Sequence, residues 1–344
     1  MKVGFVYDPI YLQHDTGQHV ESAKRLEAII SHLEQTQLKQ QLTPIKARPA
    51  STEELSLVHH EGYISHIQEV AKKGGGWLDA DTMMSLHSYE AACYAAGGVI
   101  KATEAVINGE VTSAFALVRP PGHHATYQRA MGFCLFNNVA IATQYALVKY
   151  SLERIAIIDF DVHHGNGTHD AFYDNPQVLY ISTHQYPFYP GTGAIEETGR
   201  GEAKSITINI PLPAGCGDAQ YSSVFEQIVA PAARRFNPQL ILVSAGYDPH
   251  WADELAMMQV SVSGFAQMVR TIKELADELC NGRLVFSLEG GYNLSAVAAS
   301  VKATFDVLLG NPPIEDLLGQ PPHPLTIPSI IPLISQIKEI HNLL

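Results

Sequence analysis

The sequence predicts an α/β fold: a mainly parallel central sheet with helices on both faces. Three observations predict it. Short apolar runs over 154–158, 178–182, 240–244 and 283–288 read as strands buried on both faces. Between them lie stretches whose apolar residues recur at helical spacing. Clusters of polar residues and glycines directly follow several of the strands, where open α/β sheets keep their ligands. No repeat or linker divides the 344 residues, so one domain is expected over 1–310, with a C-terminal tail over 311–344.

The first strand opens the chain within Met1–Asp8, an apolar run too short for a signal peptide and without a small-residue cleavage site. A polar loop follows over 11–20. Its His14, Asp15 and His19, with Glu21, read as surface residues, able at most to touch a substrate at a rim. A helix starts near Ser22 and places Leu26, Ile29, Ile30 and Leu33 on one face. Two short helical patterns fill 54–73, with His59-His60 at a helix start in a structural role and Gly74-Gly75-Gly76 as the stop. Residues 77–87 read as a loop, and Ser88 as the cap of a long Ala- and Gly-rich helix to Ile107.

A strand over 113–118 is broken by Arg119-Pro120-Pro121-Gly122, and a helix over 136–150 leads to the strand at 154. Beyond the strand at 178 come a long loop, a strand over 205–210 and a helix over 218–236. The strand at 240 feeds a helix over 261–279, and Asn293 caps a last helix to Leu309. The proline-rich tail ends in an amphipathic stretch over 330–344, which docks on the body, docks on another subunit or hangs loosely.

Charge and cysteine usage narrow the function classes. With 22 Lys and Arg against 35 Asp and Glu, the net charge of −13 leaves no basic surface for nucleic acid. It serves solubility first and the steering of cationic substrates second. Cys93, Cys134, Cys216 and Cys280 are scattered without a C-x-x-C pair, which points to a reducing compartment and, with no run of membrane-spanning length, to the cytoplasm. Cys134 reads as a packing residue rather than a nucleophile, since nothing marks its thiol as activated.

The chemistry concentrates in Asp159-Phe160-Asp161-Val162-His163-His164-Gly165-Asn166-Gly167-Thr168. Alternation along extended chain points Asp159, Asp161 and His163 the same way, an oxygen and nitrogen donor set suited to Zn²⁺ or a similar divalent ion. Arg119 to His124, Tyr247-Asp248 and Gly290 to Tyr292 also follow strands, so all four clusters fall along one sheet edge. Asp248 is the natural third ligand beside Asp161 and His163. His123-His124 then supply a base, and Tyr292 a hydroxyl for an oxyanion. Asp159 and Asn166 remain to orient the histidines. Such a set describes metal-assisted hydrolysis of an amide or ester.

At these residues the chain resembles a known family. The motifs are Arg119-Pro120-Pro121-Gly122-His123-His124, Gly132-Phe133-Cys134, residues 159–168, Pro190-Gly191-Thr192-Gly193, Ser244-Ala245-Gly246-Tyr247-Asp248 and Glu289-Gly290-Gly291-Tyr292. In order and over roughly 1–310 they look like the zinc-dependent histone deacetylase family, which includes bacterial acetylpolyamine amidohydrolases and acetoin-utilisation proteins. The resemblance implies an arginase-like fold and removal of acetyl or another short acyl group from an amine.

It further implies Zn²⁺ on Asp161, His163 and Asp248, with Fe²⁺ an alternative in vivo. His124 takes the part of general base and then acid, His123 of electrostatic partner, and Tyr292 of carbonyl polariser, with Asp159 behind His123 and Asn166 behind His124. Asn166 resembles the class II branch; much of the family has Asp there. A structural K⁺ is implied at Asp159, Asp161, His163, Ser182 and Thr183, and a second near Phe172, Asn175 and Val178. Phe133 and Tyr189 line the acyl tunnel, with Gly132 and Gly290 beside them as substrate contacts. Arg25 lines an acetate exit, and Asp81, or less favourably Asp79, holds the substrate's backbone or amine. Leu255 stands where polyamine-selective relatives carry a gatekeeper Glu, with Glu254 adjacent, and suits an acetyl-lysine peptide or a small amide. A homodimer or homotetramer is among the implied assemblies.

Two other readings compete. A binuclear manganese ureohydrolase on the same fold would want bridging carboxylates where this chain has paired histidines. A non-catalytic binder of acetylated ligands is disfavoured because every expected catalytic position is filled.

Overall fold

A computed structural model describes residues 2–312, 315–326 and 329–343. Its strands and helices, in chain order, are β1 (Val3–Val6), α1 (Lys24–Gln35), β2 (Thr43–Ile45), α2 (Thr52–Leu55), α3 (Glu61–Lys72), β3 (Gly75–Trp77), β4 (Met83–Ser85), α4 (Ser88–Ile107) and β5 (Ser113–Ala116). Then follow α5 (Asn138–Tyr150), β6 (Ile155–Asp159), α6 (Asn166–Phe172), β7 (Val178–Gln185), β8 (Thr207–Leu212), α7 (Asp218–Val224), α8 (Ala230–Phe236), β9 (Leu240–Ala245), α9 (Val262–Cys280), β10 (Leu284–Leu288), α10 (Leu294–Leu309) and α11 (Ile331–His341).

Eight strands form one sheet in the order β2-β1-β5-β10-β9-β6-β7-β8, and every adjacent pair is parallel. The inner strands β5, β6, β9 and β10 are buried at every residue, as expected for strands covered on both faces. Helices α4 and α5 pack together as one layer; α1, α9 and α10 pack together as another. Because the sheet is parallel, the ends of β5, β6, β9 and β10 share one edge, and the polar clusters follow those ends.

The structure departs from the sequence expectations in several places. Strand β2 was not foreseen; it is three residues long and contains Pro44, which an edge strand tolerates. The expected loop over 77–87 contains half of an antiparallel hairpin, β3 with β4. Ser88 does not cap α4: its hydroxyl accepts from Ser85 N (2.7 Å) and pairs with His14 Nδ1 (2.7 Å), and the cap position belongs to His87. The helix over 218–236 is interrupted by a π-type turn over 225–229, just before Pro231, whose ring excludes the usual bond to the Gln227 carbonyl.

In the tail, α11 buries Ile334 and Ile337 against β8 and the turn between α7 and α8, and Arg235 donates to the His341 carbonyl. Residues 313–314, 327–328 and 344 of the tail, and Met1 of the first strand, lie outside the described residues.

Candidate metal centre

The sheet edge explains how distant residues meet. Beyond β6 the chain alternates: Phe160 turns into an aromatic cluster with Tyr247 and Phe265, while Asp161 turns toward the site. Backbone amides then tie the acids down. Asp161 accepts from His163 N (2.9 Å) and Gly290 N (2.8 Å), and Asp248 Oδ1 accepts from Val162 N (3.0 Å). Gly290 is required by this approach, since a Cβ there would stand 2.3 Å from Asp248 Oδ2.

His163 Nδ1 lies 3.1 Å from Asp161 Oδ1 and 3.2 Å from Asp248 Oδ2. One donor atom from each of Asp161, His163 and Asp248 lies within 4.8 Å of the others, and among the described residues no other such group of three occurs. Asp248 Oδ2 is buried without a hydrogen-bond partner. Burial, then the neighbouring Asp161, push the Asp248 carboxyl up to about 7. An unmet carboxylate oxygen beside a second carboxylate and an imidazole fits a divalent cation, and the mixed nitrogen and oxygen set fits zinc better than magnesium or calcium.

The two histidines ahead of this centre differ in what backs them. His123 Nδ1 is 3.1 Å from Asp159 Oδ2, which also accepts from Tyr180 OH (3.1 Å). Burial disfavours charge on His123, but Asp161 and Asp159 outweigh it and raise the imidazole to about 10. His124 Nδ1 is 2.8 Å from Asn166 Oδ1, an uncharged partner. Burial, then His123 and His163, hold His124 well below its ordinary value. One imidazole is thus kept charged and its neighbour, 4.0 Å away between ring centroids, kept neutral. Tyr292 faces the edge of Phe133 at 5.8 Å, with the Arg25 guanidinium 4.9 Å over its ring.

The histone deacetylase domain model matches residues 19–308. The chain belongs to the histone deacetylase family. It is 40% identical to histone deacetylase 10, chloroplastic, of Oryza sativa subsp. japonica, over 96% of this chain and 79% of that one. It is 42% identical to a probable deacetylase of Archaeoglobus fulgidus, over 86% of this chain and 82% of the relative. A crystal structure of the HDA15 HD domain superposes with a TM-score of 0.89 at 33% identity, covering 99% of this chain and 94% of the other. The fold is therefore the arginase-like fold, and the family is one of hydrolases acting on amide C–N bonds.

Around this deacetylase-family centre, Tyr189 sits edge-on to His124 (5.2 Å) and His163 (6.0 Å), and Phe188, not singled out from the sequence, stacks on His163 at 5.5 Å. Gly132 lies against His124, and a Cβ there would be 2.3 Å from its ring. Phe133 takes a positive φ of 68°, and its N–H donates to Thr82 Oγ1 (3.1 Å), which in turn donates to Asp81 (3.0 Å). Asp79 instead accepts from the backbone of Asp81 and Thr82, holding the loop. Val20, Asp253, Glu254, Leu255, Asn293 and Leu294 line, together with Tyr292, an open cavity of about 280 Å³ beside that tyrosine.

Ser182 Oγ pairs with His184 Nδ1 (2.9 Å), and Thr183 Oγ1 lies 3.5 Å from the Asp159 carbonyl. Near Phe172, Asn175 and Val178 the first two carbonyls accept turn bonds from Asn175 N and Val178 N. His59 bridges Thr126 O and Asn137 N, a structural position.

Glu21 and His14 correct the surface reading of their loop. Both are buried, Glu21 between the guanidiniums of Arg25 (3.2 Å) and Arg119 (2.5 Å), and His14 3.6 Å from Glu21. Of that loop Asp15 is exposed, and His19 meets Phe133 edge-on at 4.6 Å. Arg25 is also buried: Nε donates to Gly291 O (2.6 Å) and Nη2 to Glu289 O (2.5 Å). Two acids escaped the sequence reading. Glu289 Oε2 accepts from Gly122 N (2.7 Å) and His123 N (3.2 Å), anchoring the histidine loop, and burial pushes its carboxyl up to about 7. An acid at the end of a buried strand was the available signal. Asp253 holds the Tyr292 backbone, and its sequence carried no signal at all.

Proposed function

We propose that this protein is a zinc-dependent amidohydrolase that removes acetyl groups from N-acetyl-lysine in peptides and proteins, or from related acetylated amines. The observation that carries the reading is the unmet Asp248 oxygen beside Asp161 and His163, with the His124 ring 5.9 Å from that of His163 and Tyr292 following the Gly290 whose N–H binds Asp161. Asp161, His163 and Asp248 would hold the zinc, which would supply a Lewis acid for the acyl oxygen and lower the pKa of a neighbouring water. His124, kept neutral, takes a proton from that water and returns it to the departing amine. His123, kept charged by Asp159 and Asp161, steadies the anionic charge that develops. Tyr292 donates its hydroxyl to the acyl oxygen as it gains charge. Phe133, Phe188 and Tyr189 exclude water from the acyl chain, and Leu255 at the mouth favours an apolar neighbour over a polyamine. Potassium at Asp159, Asp161, His163, Ser182 and Thr183, and acetate release past Arg25, belong to the same proposal.

The test is a side-by-side assay of acetyl-lysine peptides, acetylated diamines and acetylspermidines with zinc-loaded protein, with and without chelator. Chelator-sensitive turnover, fastest on the peptides, is expected. Tight binding of all three without turnover would leave only a binder of acetylated ligands.

A further inference from the structure

The Gly291–Tyr292 peptide has no regular secondary structure to hold it. It lies between β10 and α10, and Gly291 has a φ of 109°, a conformation that L side chains rarely adopt. Both polar groups of this one peptide unit are nevertheless gripped by charge. Its carbonyl accepts from Arg25 Nε (2.6 Å), and its N–H donates to Asp253 Oδ2 (2.6 Å). A peptide plane held through both polar groups fixes the N–Cα bond of Tyr292, and a grip on the next N–H as well restricts the rotation that aims its side chain.

Asp253 does more than close this clamp. Its Oδ2 also accepts from Asn293 N (3.0 Å), and its Oδ1 accepts from Leu255 N (3.1 Å). Asn293 Nδ2 crosses back to the Ala252 carbonyl (3.0 Å). One buried carboxylate, 5% exposed, thereby joins the tyrosine loop to the loop that carries Leu255 at the mouth. Three N–H donors spread over two oxygens suit a carboxylate. An amide has one acceptor oxygen and would turn its NH₂ toward one of the two loops.

We infer that Asp253 is a positioning residue: with Arg25 it locks the Gly291–Tyr292 peptide, and through Leu255 it couples the mouth to the tyrosine's aim. The inference rests on Tyr292 acting on the acyl oxygen, as proposed above. Contact with a substrate at Leu255 then bears on the hydroxyl that polarises the substrate's own carbonyl.

The test is Asp253→Asn in the zinc-loaded full-length chain, alone and combined with Tyr292→Phe, alongside hydrogen exchange by mass spectrometry. Asp253→Asn should keep its zinc and lower kcat about 10–100-fold, the scale of a lost supporting contact, with KM little changed. Tyr292→Phe alone should lower kcat about 10²–10³-fold. In that background Asp253→Asn should cost less than about threefold, because the group it positions is gone. Exchange at residues 292–293 and at 255 should accelerate together. Equal losses of kcat in the two backgrounds, or unchanged exchange at 292–293, would overturn the inference.

If Asp253→Asn does not fold, Leu255→Pro removes the third donor and leaves the Asp253 carboxylate in place, while also fixing φ at 255 and replacing the leucine side chain. It should still speed exchange at 292–293, and unchanged exchange there overturns the coupling. Inactive wild-type protein would overturn the proposed function and not the clamp, whose exchange readout needs no turnover.

Discussion

Two buried charged clusters flank the Glu289–Gly291 backbone, one through Arg25 and the other through Asp161, and they are built on opposite principles. Around Glu21 one carboxylate serves two guanidiniums: Oε1 meets Arg119 Nε and Arg25 Nη1, and Oε2 meets Arg119 Nη2 (2.8 Å). Arg119 gives two further donors to the carbonyls of Tyr11 (2.9 Å) and His14 (3.0 Å). Around His163 two carboxylates share one imidazole nitrogen, and Asp248 Oδ2 has no partner beyond the 3.2 Å approach of that Nδ1. Burial acts on both acids in the same direction, yet the outcomes diverge. The arginines draw Glu21 down to about 2, whereas Asp161 adds to burial and drives Asp248 up to about 7. Buried charge alone therefore does not mark a site; here an unmet buried carboxylate oxygen within a group of three metal-type donors does.

The largest break in this comparison comes from Asp248→Ala. The variant should lose most of its zinc and its turnover, a loss well beyond the 10–100-fold typical of a supporting partner. Elemental analysis checks the first effect, and full zinc occupancy would mean the wrong third ligand has been chosen. In the metal-free state the contrast should invert. Asp248→Asn relieves an unmet buried charge, so it should unfold at higher denaturant than metal-free wild type.

Glu21→Gln should do the reverse. It strands two buried guanidiniums and should destabilise the fold by about 3–5 kcal/mol while leaving zinc stoichiometry in the folded fraction intact. The pH dependence sharpens this. Glu21 titrates near 2 in the folded protein against 4.5 ordinarily, so its contribution is complete above pH 4.5 and is lost as pH falls toward 2. The loss should approach about 3 kcal/mol, measurable by denaturant titration, and Glu21→Gln should lack that component. An identical acid dependence in the variant would sever Glu21 from the effect.

The same contrast explains what could be read from the sequence. The parallel sheet was legible because its inner strands are continuous apolar runs, as in Ile155–Asp159 and Leu240–Ala245. The residues that meet at the candidate metal centre were legible because each ends or follows a strand, and parallel strands share an edge. Glu21 was not. It sits in a polar loop, and only the folding of Arg119 against it, 98 residues away in sequence, makes it a buried partner. His14 was misplaced with it, and the role of Ser88 as its partner, instead of a helix cap, depends on the same closure. Asp253 was missed because its partners are backbone N–H groups, which every sequence contains. The hairpin of β3 and β4 is three residues a side and carries no alternation long enough to detect.

The smallest predicted effect concerns the two histidines, which repeat the comparison within the site: a carboxylate backs His123 and a neutral amide backs His124. Asn166→Asp would give both the same backing. A carboxylate 2.8 Å from His124 Nδ1 favours the imidazolium, so the His124 pKa should rise. A base with a raised pKa stays protonated to higher pH. The acid limb of kcat/KM should therefore move to higher pH, with zinc content unchanged and turnover on the alkaline plateau altered only modestly. A profile whose acid limb stays in place would show that His124 is not the group whose deprotonation opens the reaction, and would shift that role to His123.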